Sequence, residues 1–302
     1  MAKIPTLRQI QYFLAIADTL SFHQAAELCH VTQSTLSGGL SELESLLGEK
    51  LFERTSRSVT LTRVGSELVL PARDLAARAE NFVALAGSHR APLSGPLSLG
   101  VIPTIAPYLL PALLPKLQKK YGDLELHLRE DLTGRLLDDL QRGNIDVALM
   151  AFPFDTPNAE QMILWREPFL MVRSESSPVT GKTLSLDDLK NETILLLDDG
   201  HCLRDHVIAA CHLAPSAHGA GLRKTFGATS LQTLIQMVQH GYGATLLPAM
   251  ALRNGAIPKG LKFQKFPVPP PSRGIGLAWR KGSPRAAEFQ LLGEFIAKTC
   301  KP

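Results

Sequence analysis

The sequence predicts an α/β protein: an N-terminal winged helix-turn-helix, a long linking helix, and a larger α/β domain of two subdomains. Three observations predict it. Two short helical patterns with a tight break between them occupy residues 21–47, as in a helix-turn-helix. A long helical stripe follows from Thr62 to Phe82. Beyond residue 96 strand-like and helix-like segments alternate, the pattern of a parallel sheet with crossover helices.

The elements follow in chain order. Leu7, Ile10, Phe13, Leu14 and Ala17 recur at helical spacing. Ser21 precedes FHQAAEL, with Gln24 three residues on, the spacing of a capping box. Thr32 is the next candidate N-cap, and Val31 and Leu36 stand where a hydrophobic staple requires them. Leu36, Leu40, Leu43 and Leu47 continue one helix face, and Gly48 ends it. Leu51-Phe52 and Val59–Leu61 read as two short strands around a polar tip, Thr55 to Ser58, which is a wing. Thr62 then caps a helix through Val64, Leu68, Leu75, Ala79 and Phe82, with Pro71 expected to kink or break it. Its apolar stripe suits pairing of two chains; the plain alternative is a helix packed on its own domain.

Ser88 to Pro96 reads as a hinge. Leu97–Ile102, Leu124–Glu130 and Ile145–Phe152 read as strands, with helices at Tyr108–Lys119 and Leu132–Gln141 between them. A second set follows: PFLMVR, ILLLDDG, a helix from about Leu203, a helix through Leu231–Val238, and ATLLP. GIGLAWR and the helix Ala286–Ala297 close the chain and are expected to return to the first subdomain. In such folds ligands sit at the carboxyl ends of strands. The expected boundaries are a winged helix-turn-helix at 1–62, a linker at 63–90 and the α/β domain at 91–302. Its lobe I spans about 95–168 and 273–302, and its lobe II about 169–272.

Composition narrows the class. The 302 residues are 45% apolar and 20% charged, enough for more than one hydrophobic core. The net charge of +4 permits a nucleic-acid partner without arguing for one. Met1–Ser94 carries equal numbers of acidic and basic residues, so any affinity of that part for DNA rests on local placement. No apolar leader and no membrane-length apolar run is present, so a soluble, cytoplasmic chain is expected. The four cysteines, Cys29, Cys202, Cys211 and Cys300, lack the tight spacing of structural zinc; no metal and no cofactor is expected.

The segment AAELCHVTQSTLSGGLSELESLLGEKLFERTSRSVTLTRVG resembles the winged helix of the LysR-type transcriptional regulators. Its TQSTLS helix start, its LE-x-x-LG-x-x-LF-x-R run and its closing LT-x-x-G carry the likeness. GVIPTIAPYLLP, LLDDGHCLRD, ATSLQTL and YGATLLPA are similar to the hydrogen-peroxide sensors of that family. The resemblance implies a regulatory domain like a periplasmic binding protein, homotetramers, dimeric operator sites and activation of antioxidant genes. It further implies a peroxidatic cysteine at Cys202 and a resolving cysteine at Cys211, joined by a disulfide on oxidation. Thr104, Thr133, His201, Arg204, Asp205 and Arg273 are the residues it places around the peroxide. RNA polymerase, and glutaredoxin- or thioredoxin-type reductants for reset, complete the implied partners. The helix reads SGGLSELE, with glycines at 38 and 39 and no basic residue between Thr32 and Leu47, where such helices often carry Lys or Arg.

The residues themselves support part of this. Gln33, Ser34, Thr35 and Ser37 open the second helix of the pair, where side chains meet base edges and the helix N-terminus favours a phosphate. Arg54 and Arg57, with Lys50 and Arg63, make the wing locally basic, suited to holding the DNA backbone. Ordinary capping and solvation are the plain alternatives. If 202–211 is one helix, its ends lie about 13 Å apart, whereas a disulfide needs Cα atoms within about 7 Å. Joining them requires local unwinding, which suits a switch; two inert core thiols are the alternative. Four functions compete: a peroxide-sensing regulator, a regulator binding a small metabolite in the interlobe cleft, a thiol peroxidase, and an envelope solute-binding protein. The winged helix argues against an enzyme, and the absent leader against the last.

Overall fold

The computed structural model describes residues 4–54, 58–86, 91–177, 192–210, 228–255 and 258–300. The chain falls into two compact units, Met1–Arg90 and Ala91–Pro302.

The first unit opens with α1 (Leu7–Thr19), α2 (Phe22–Leu28) and α3 (Gln33–Leu47). Each begins on a hydroxyl cap. Thr6 accepts the Gln9 amide and Gln9 returns the bond, a complete capping box. Ser21 accepts the Gln24 amide, one half of the box expected there. Thr32 accepts the Thr35 amide, and Gly48 closes α3 in the left-handed region at φ 74°. The apolar faces of these helices meet in one core of Ile10, Phe13, Ile16, Leu36, Leu40, Leu43 and Leu51. The wing is an antiparallel pair, β1 (Phe52–Arg54) and β2 (Val59–Leu61), with Phe52 opposite Leu61. Thr62 caps α4 (Arg63–Ala86) by accepting the Gly65 amide. Helix α4 continues through Pro71 and does not break there. Val64, Leu68, Val69 and Ala72 pack on the core, while Leu70, Leu75 and Phe82 are exposed.

The second unit is built on a curled seven-stranded sheet. Strands β3 (Gly95–Val101), β4 (Leu124–Glu130) and β5 (Val147–Phe152) are parallel, joined by α5 (Ala106–Lys120) and α6 (Thr133–Arg142). This is the expected βαβαβ unit. The rest departs from a mostly parallel sheet. Strand β6 is a 16-residue element, Ala159–Ser174, of which only the PFLMVR part was expected. It runs antiparallel to β7 (Thr245–Pro248), β8 (Leu261–Lys265) and β9 (Ser272–Arg280), and β9 also pairs antiparallel with β5. Residues 159–166 carry no clean alternation, because apolar Ile163 is exposed and a register shift between Ile163 and Trp165 breaks the period. ILLLDDG forms no extended strand; only single bridges, Ile194 to Ala244 and Leu197 to Ala228, tie it to its neighbours. Helices α7 (Cys202–Ala210), α8 (Leu231–Gln239) and α9 (Ala286–Cys300) complete the unit. Among the described residues no helix is long and apolar enough to cross a membrane.

Candidate functional site

Two strand ends and one helix start converge in the second unit. The chain leaves β3 through Ile102-Pro103-Thr104 and enters α5; it leaves β4 and enters α6 at Thr133. Parallel strands put both turns at the same sheet edge, the usual ligand position in α/β folds. From the other side comes Gly200, whose φ of +92° favours glycine and turns the chain into α7. Ile102, Pro103, Thr104, Leu132, Thr133, His201 and Cys202 line a tight crevice.

Cys202 is the first residue of α7 and is 2% exposed. Burial pushes its thiol above the ordinary value of 9.0, opposed by the nearby Arg273 charge and by the hydrogen bond from Thr133. Asp205 pushes it further up. Desolvation thus outweighs the favourable charge, and the resting sulfur is held as the thiol. Arg273 is wholly buried. Its Nη1 donates to Thr104 Oγ1 at 2.9 Å and its Nη2 to the Thr104 carbonyl at 3.2 Å. Burial also pulls the His201 ring below its ordinary value, opposed by a hydrogen bond to the Thr229 backbone.

The structure therefore brings Thr104, Thr133, His201 and Arg273 together with Cys202. It places Arg204 and Asp205 otherwise. Arg204 Nε pairs with Asp199 at 2.9 Å and its Nη1 meets the Leu197 carbonyl, so it braces the turn before α7. Asp205 is exposed on α7. Cys211 lies outside the described residues. Two more buried residues lie beside the site: Glu167, which carried no sequence signal, and His206, which the sequence places near Cys202. Glu167 looks like an ordinary polar residue ahead of PFLMVR, yet its carboxylate meets Arg273 at 2.9 Å with both side chains wholly buried. His206 is buried, with Nε2 at 2.8 Å from the Pro153 carbonyl. Among the described residues no group of three or more His, Cys, Asp or Glu is placed to hold a metal ion.

In the first unit Gln33, Ser34 and Thr35 are exposed at the start of α3 and Ser37 is half-buried. The Thr32 hydroxyl lies 2.9 Å from that of Ser34 and 2.8 Å from that of Thr35. Arg54 does not project freely. Its guanidinium stacks 4.0 Å from the Phe22 ring centroid and its Nη1 meets Ser37 Oγ at 3.4 Å, tying wing to helices. Arg57 and the wing tip at 55–57 lie outside the described residues.

Residues 7–66 match the bacterial regulatory helix-turn-helix protein, lysR family, and residues 90–301 match the LysR substrate binding domain. The chain belongs to the LysR family. Among its LysR-type relatives is the HTH-type transcriptional regulator EstR of Acinetobacter baylyi, 38% identical over 99% of this chain and 98% of that protein. The DNA-binding transcriptional dual regulator OxyR of Escherichia coli K12 is 38% identical over 96% of this chain and 94% of its own length. Two solved LysR-type structures are similar throughout. A full-length OxyR variant from Pseudomonas aeruginosa has a TM-score of 0.78 and 32% identity, covering 99% of this chain and 96% of that one. A hydrogen-peroxide-bound OxyR mutant of Corynebacterium glutamicum has a TM-score of 0.67 and 36% identity, covering 99% and 94%.

Proposed function

We propose that this LysR-family regulator senses hydrogen peroxide through Cys202 and activates antioxidant genes from operator DNA. The observation that carries the reading is a buried thiol at a helix start, beside the Thr133 hydroxyl and the Arg273 charge. The crevice is too tight for the larger ligands that occupy sites of roughly 300–1,000 Å³. Sulfur attacks one peroxide oxygen, the O–O bond breaks, and Cys202–SH with H₂O₂ gives Cys202–SOH and water. The Thr133 hydroxyl holds the sulfur; the Arg273 charge favours both thiolate and departing hydroxide. Thr104 is the neighbouring donor or acceptor for the peroxide, and His201 walls the crevice. Arg204 and Asp205 act on the turn and helix that present the sulfur.

The sulfenic acid then condenses with the Cys211 thiol, giving a Cys202–Cys211 disulfide and a second water. Forming it requires α7 to unwind, at the cost of burial of Leu203 and Val207, so the oxidised form is reset by glutaredoxin- or thioredoxin-type reductants. Residues 63–90 act as the dimerising linker, with Leu70, Leu75 and Phe82 as the apolar face, and regulatory-domain contacts complete a tetramer. The domain and lobe limits read from the sequence are part of the same proposal. Gln33, Ser34, Thr35 and Ser37 contact the operator, Arg54 and Arg57 hold its backbone, and RNA polymerase is the partner at the promoter. The site of action is the cytoplasm.

The alternative is a regulator answering a small metabolite in the interlobe cleft. One experiment separates them: peptide mapping after stoichiometric peroxide, beside a promoter footprint. A Cys202–Cys211 linkage with an altered footprint is expected. No linkage, or a linkage with an unchanged footprint, gives the case to the metabolite.

A further inference from the structure

The lining of the crevice at Cys202 is buried except on one side. Among the described residues that form it, Ile102, Thr104, Thr133, His201 and Cys202 are buried, while Pro103 and Leu132 are half-buried and reach solvent. A small molecule arriving from water therefore approaches the sulfur between Pro103 and Leu132. Pro103 is a stiff ring in the turn after β3. Leu132 is a branched apolar side chain at the start of α6.

Leu132 is held firmly in that position. It is the N-cap residue of α6 and the chain neighbour of Thr133. Its amide donates to Asp131 Oδ1 at 2.9 Å, and its carbonyl accepts the Leu136 amide at 3.0 Å. Its side chain crosses to the turn before α7. A Cβ added to Gly200 would stand only 3.1 Å from Leu132 Cδ1, so the leucine rests on the bare Cα of a residue two places before Cys202. The turn that sets the Thr133 hydroxyl beside the sulfur thus also sets an isobutyl group at the approach to it. Ile102, Pro103 and Leu132 are apolar and offer a substituent no hydrogen bond. Close-packed walls of this kind respond to added volume by displacement, which costs energy.

We propose that Leu132 is a specificity-determining residue of this site, admitting hydrogen peroxide and excluding hydroperoxides that carry a bulky organic group. The inference rests on the peroxide-sensing reading. The chemical step is common to both reagents. Sulfur attacks the terminal oxygen of ROOH, the S–O bond forms, and the O–O bond breaks with its electron pair passing to RO. Cys202 is oxidised to the sulfenic acid, and the thiol proton leaves with RO as the alcohol ROH, which for hydrogen peroxide is water. Nothing in that step selects for R, so selection falls to space. A tert-butyl group must lodge against Leu132, whereas the hydrogen of H₂O₂ needs no room there.

The test uses the full chain with Cys29, Cys211 and Cys300 replaced by serine, so that Cys202 alone reports. Rates of sulfenic-acid formation with hydrogen peroxide and with tert-butyl hydroperoxide are measured at one pH by trapping and mass spectrometry. The same chain unfolded in urea gives the intrinsic preference of the thiol between the two reagents. The folded parent should prefer hydrogen peroxide by about tenfold or more beyond that intrinsic preference. Leu132→Ala removes most of the isobutyl group and should erase about tenfold of the added preference, through faster reaction with the bulky reagent. Leu132→Met refills a similar volume and should keep the parent preference. A folded parent no more selective than the unfolded chain overturns the inference, as does a Leu132→Ala protein with the parent preference. Equal loss of both rates in the alanine and methionine variants also overturns it, since that marks a damaged fold and not a sieve. All three results leave the peroxide reading intact. If the folded parent forms no sulfenic acid with hydrogen peroxide, both fall together.

Discussion

Glu167 and Arg273 form an ion pair with neither side chain exposed to solvent, and that pair ties the crevice at Cys202 to the rest of the second unit. One Glu167 oxygen accepts from Arg273 Nε at 2.9 Å; the other accepts the Met250 amide at 2.6 Å. Arg273 in turn grips Thr104 by two bonds. A single carboxylate on β6 thus fixes a cation on β9, a turn after β3 and the start of the 3₁₀ turn at 249–255. Buried pairs of this kind are costly to break from one side, because the surviving charge is left unpaired.

Glu167→Gln is therefore expected to lower the unfolding free energy by about 3–5 kcal/mol. Glutamine cannot accept from both donors, since its amide nitrogen faces one of them. Replacing both residues with apolar ones, Glu167→Leu with Arg273→Met, should cost less than the sum of the two single changes. Urea unfolding of the four proteins in the cycle measures this. Additive costs would show that the pair contributes no coupling.

The sequence made the outline of this molecule legible for physical reasons that also explain what it hid. Hydroxyl caps at Thr32 and Thr62, and the leucines of α3, mark helix ends and faces by local chemistry alone. The βαβαβ unit is visible because its strands and helices are consecutive. The order of β9 between β5 and β6 is set by contacts between distant segments, and no local pattern encodes it. At the site, Thr104, Thr133 and Cys202 stand out by their place after strands or beside a distinctive motif. Glu167 does not, because burial is a property of the fold and a single polar residue carries no periodicity. Arg204, conspicuous beside Cys202 in sequence, turns away because a helix start points consecutive side chains in different directions.

The two glycines of α3 should behave differently. A Cβ on Gly39 would stand 2.7 Å from the Tyr12 ring, whereas one on Gly38 meets nothing within 4 Å. Gly38→Ala should stabilise the first unit by about 0.5–1 kcal/mol through helix propensity. Gly39→Ala should destabilise it by about 1–3 kcal/mol, because α3 must move off α1. Thermal unfolding distinguishes them, and similar shifts for both would contradict the packing assigned to Gly39.

Glu44 makes the stability of the winged domain sensitive to acid. Its side chain is 3% exposed and meets Lys50 at 2.7 Å, and it accepts the Leu51 amide at 3.0 Å. Burial raises its pKa, but Lys50 and the Leu51 and Phe52 amides more than offset that, leaving it below the ordinary 4.5. A depressed carboxylate stabilises the fold above its unfolded value and loses that contribution as pH falls through the folded one. Glu44→Gln should therefore cost stability at pH 7 and differ less from the parent at about pH 3–4. Unfolding midpoints across that range check the sign; an equal deficit at both ends would rule out titration of Glu44 as the cause.

The last expectation concerns Thr133, whose hydroxyl lies beside the Cys202 sulfur and pulls its thiol down against burial. Thr133 is 1% exposed and opens α6, so valine fits the same volume with little strain. What valine lacks is the donor. Hydrogen bonds to charged groups are worth about 1.5–3 kcal/mol, which corresponds to roughly a ten- to hundredfold loss of thiolate at a given pH. Thr133→Val should thus push the Cys202 thiol higher still and slow its alkylation by a small neutral reagent at every pH below that point. Thr104→Val acts by a different route, leaving Arg273 Nη1 without its 2.9 Å acceptor, and should cost fold stability as well as rate. Alkylation profiles of Cys202, in protein with its other cysteines replaced by serine, measure the thiol directly without peroxide or DNA. A Thr133→Val profile that overlays the parent would mean that the Thr133 hydroxyl does not govern Cys202.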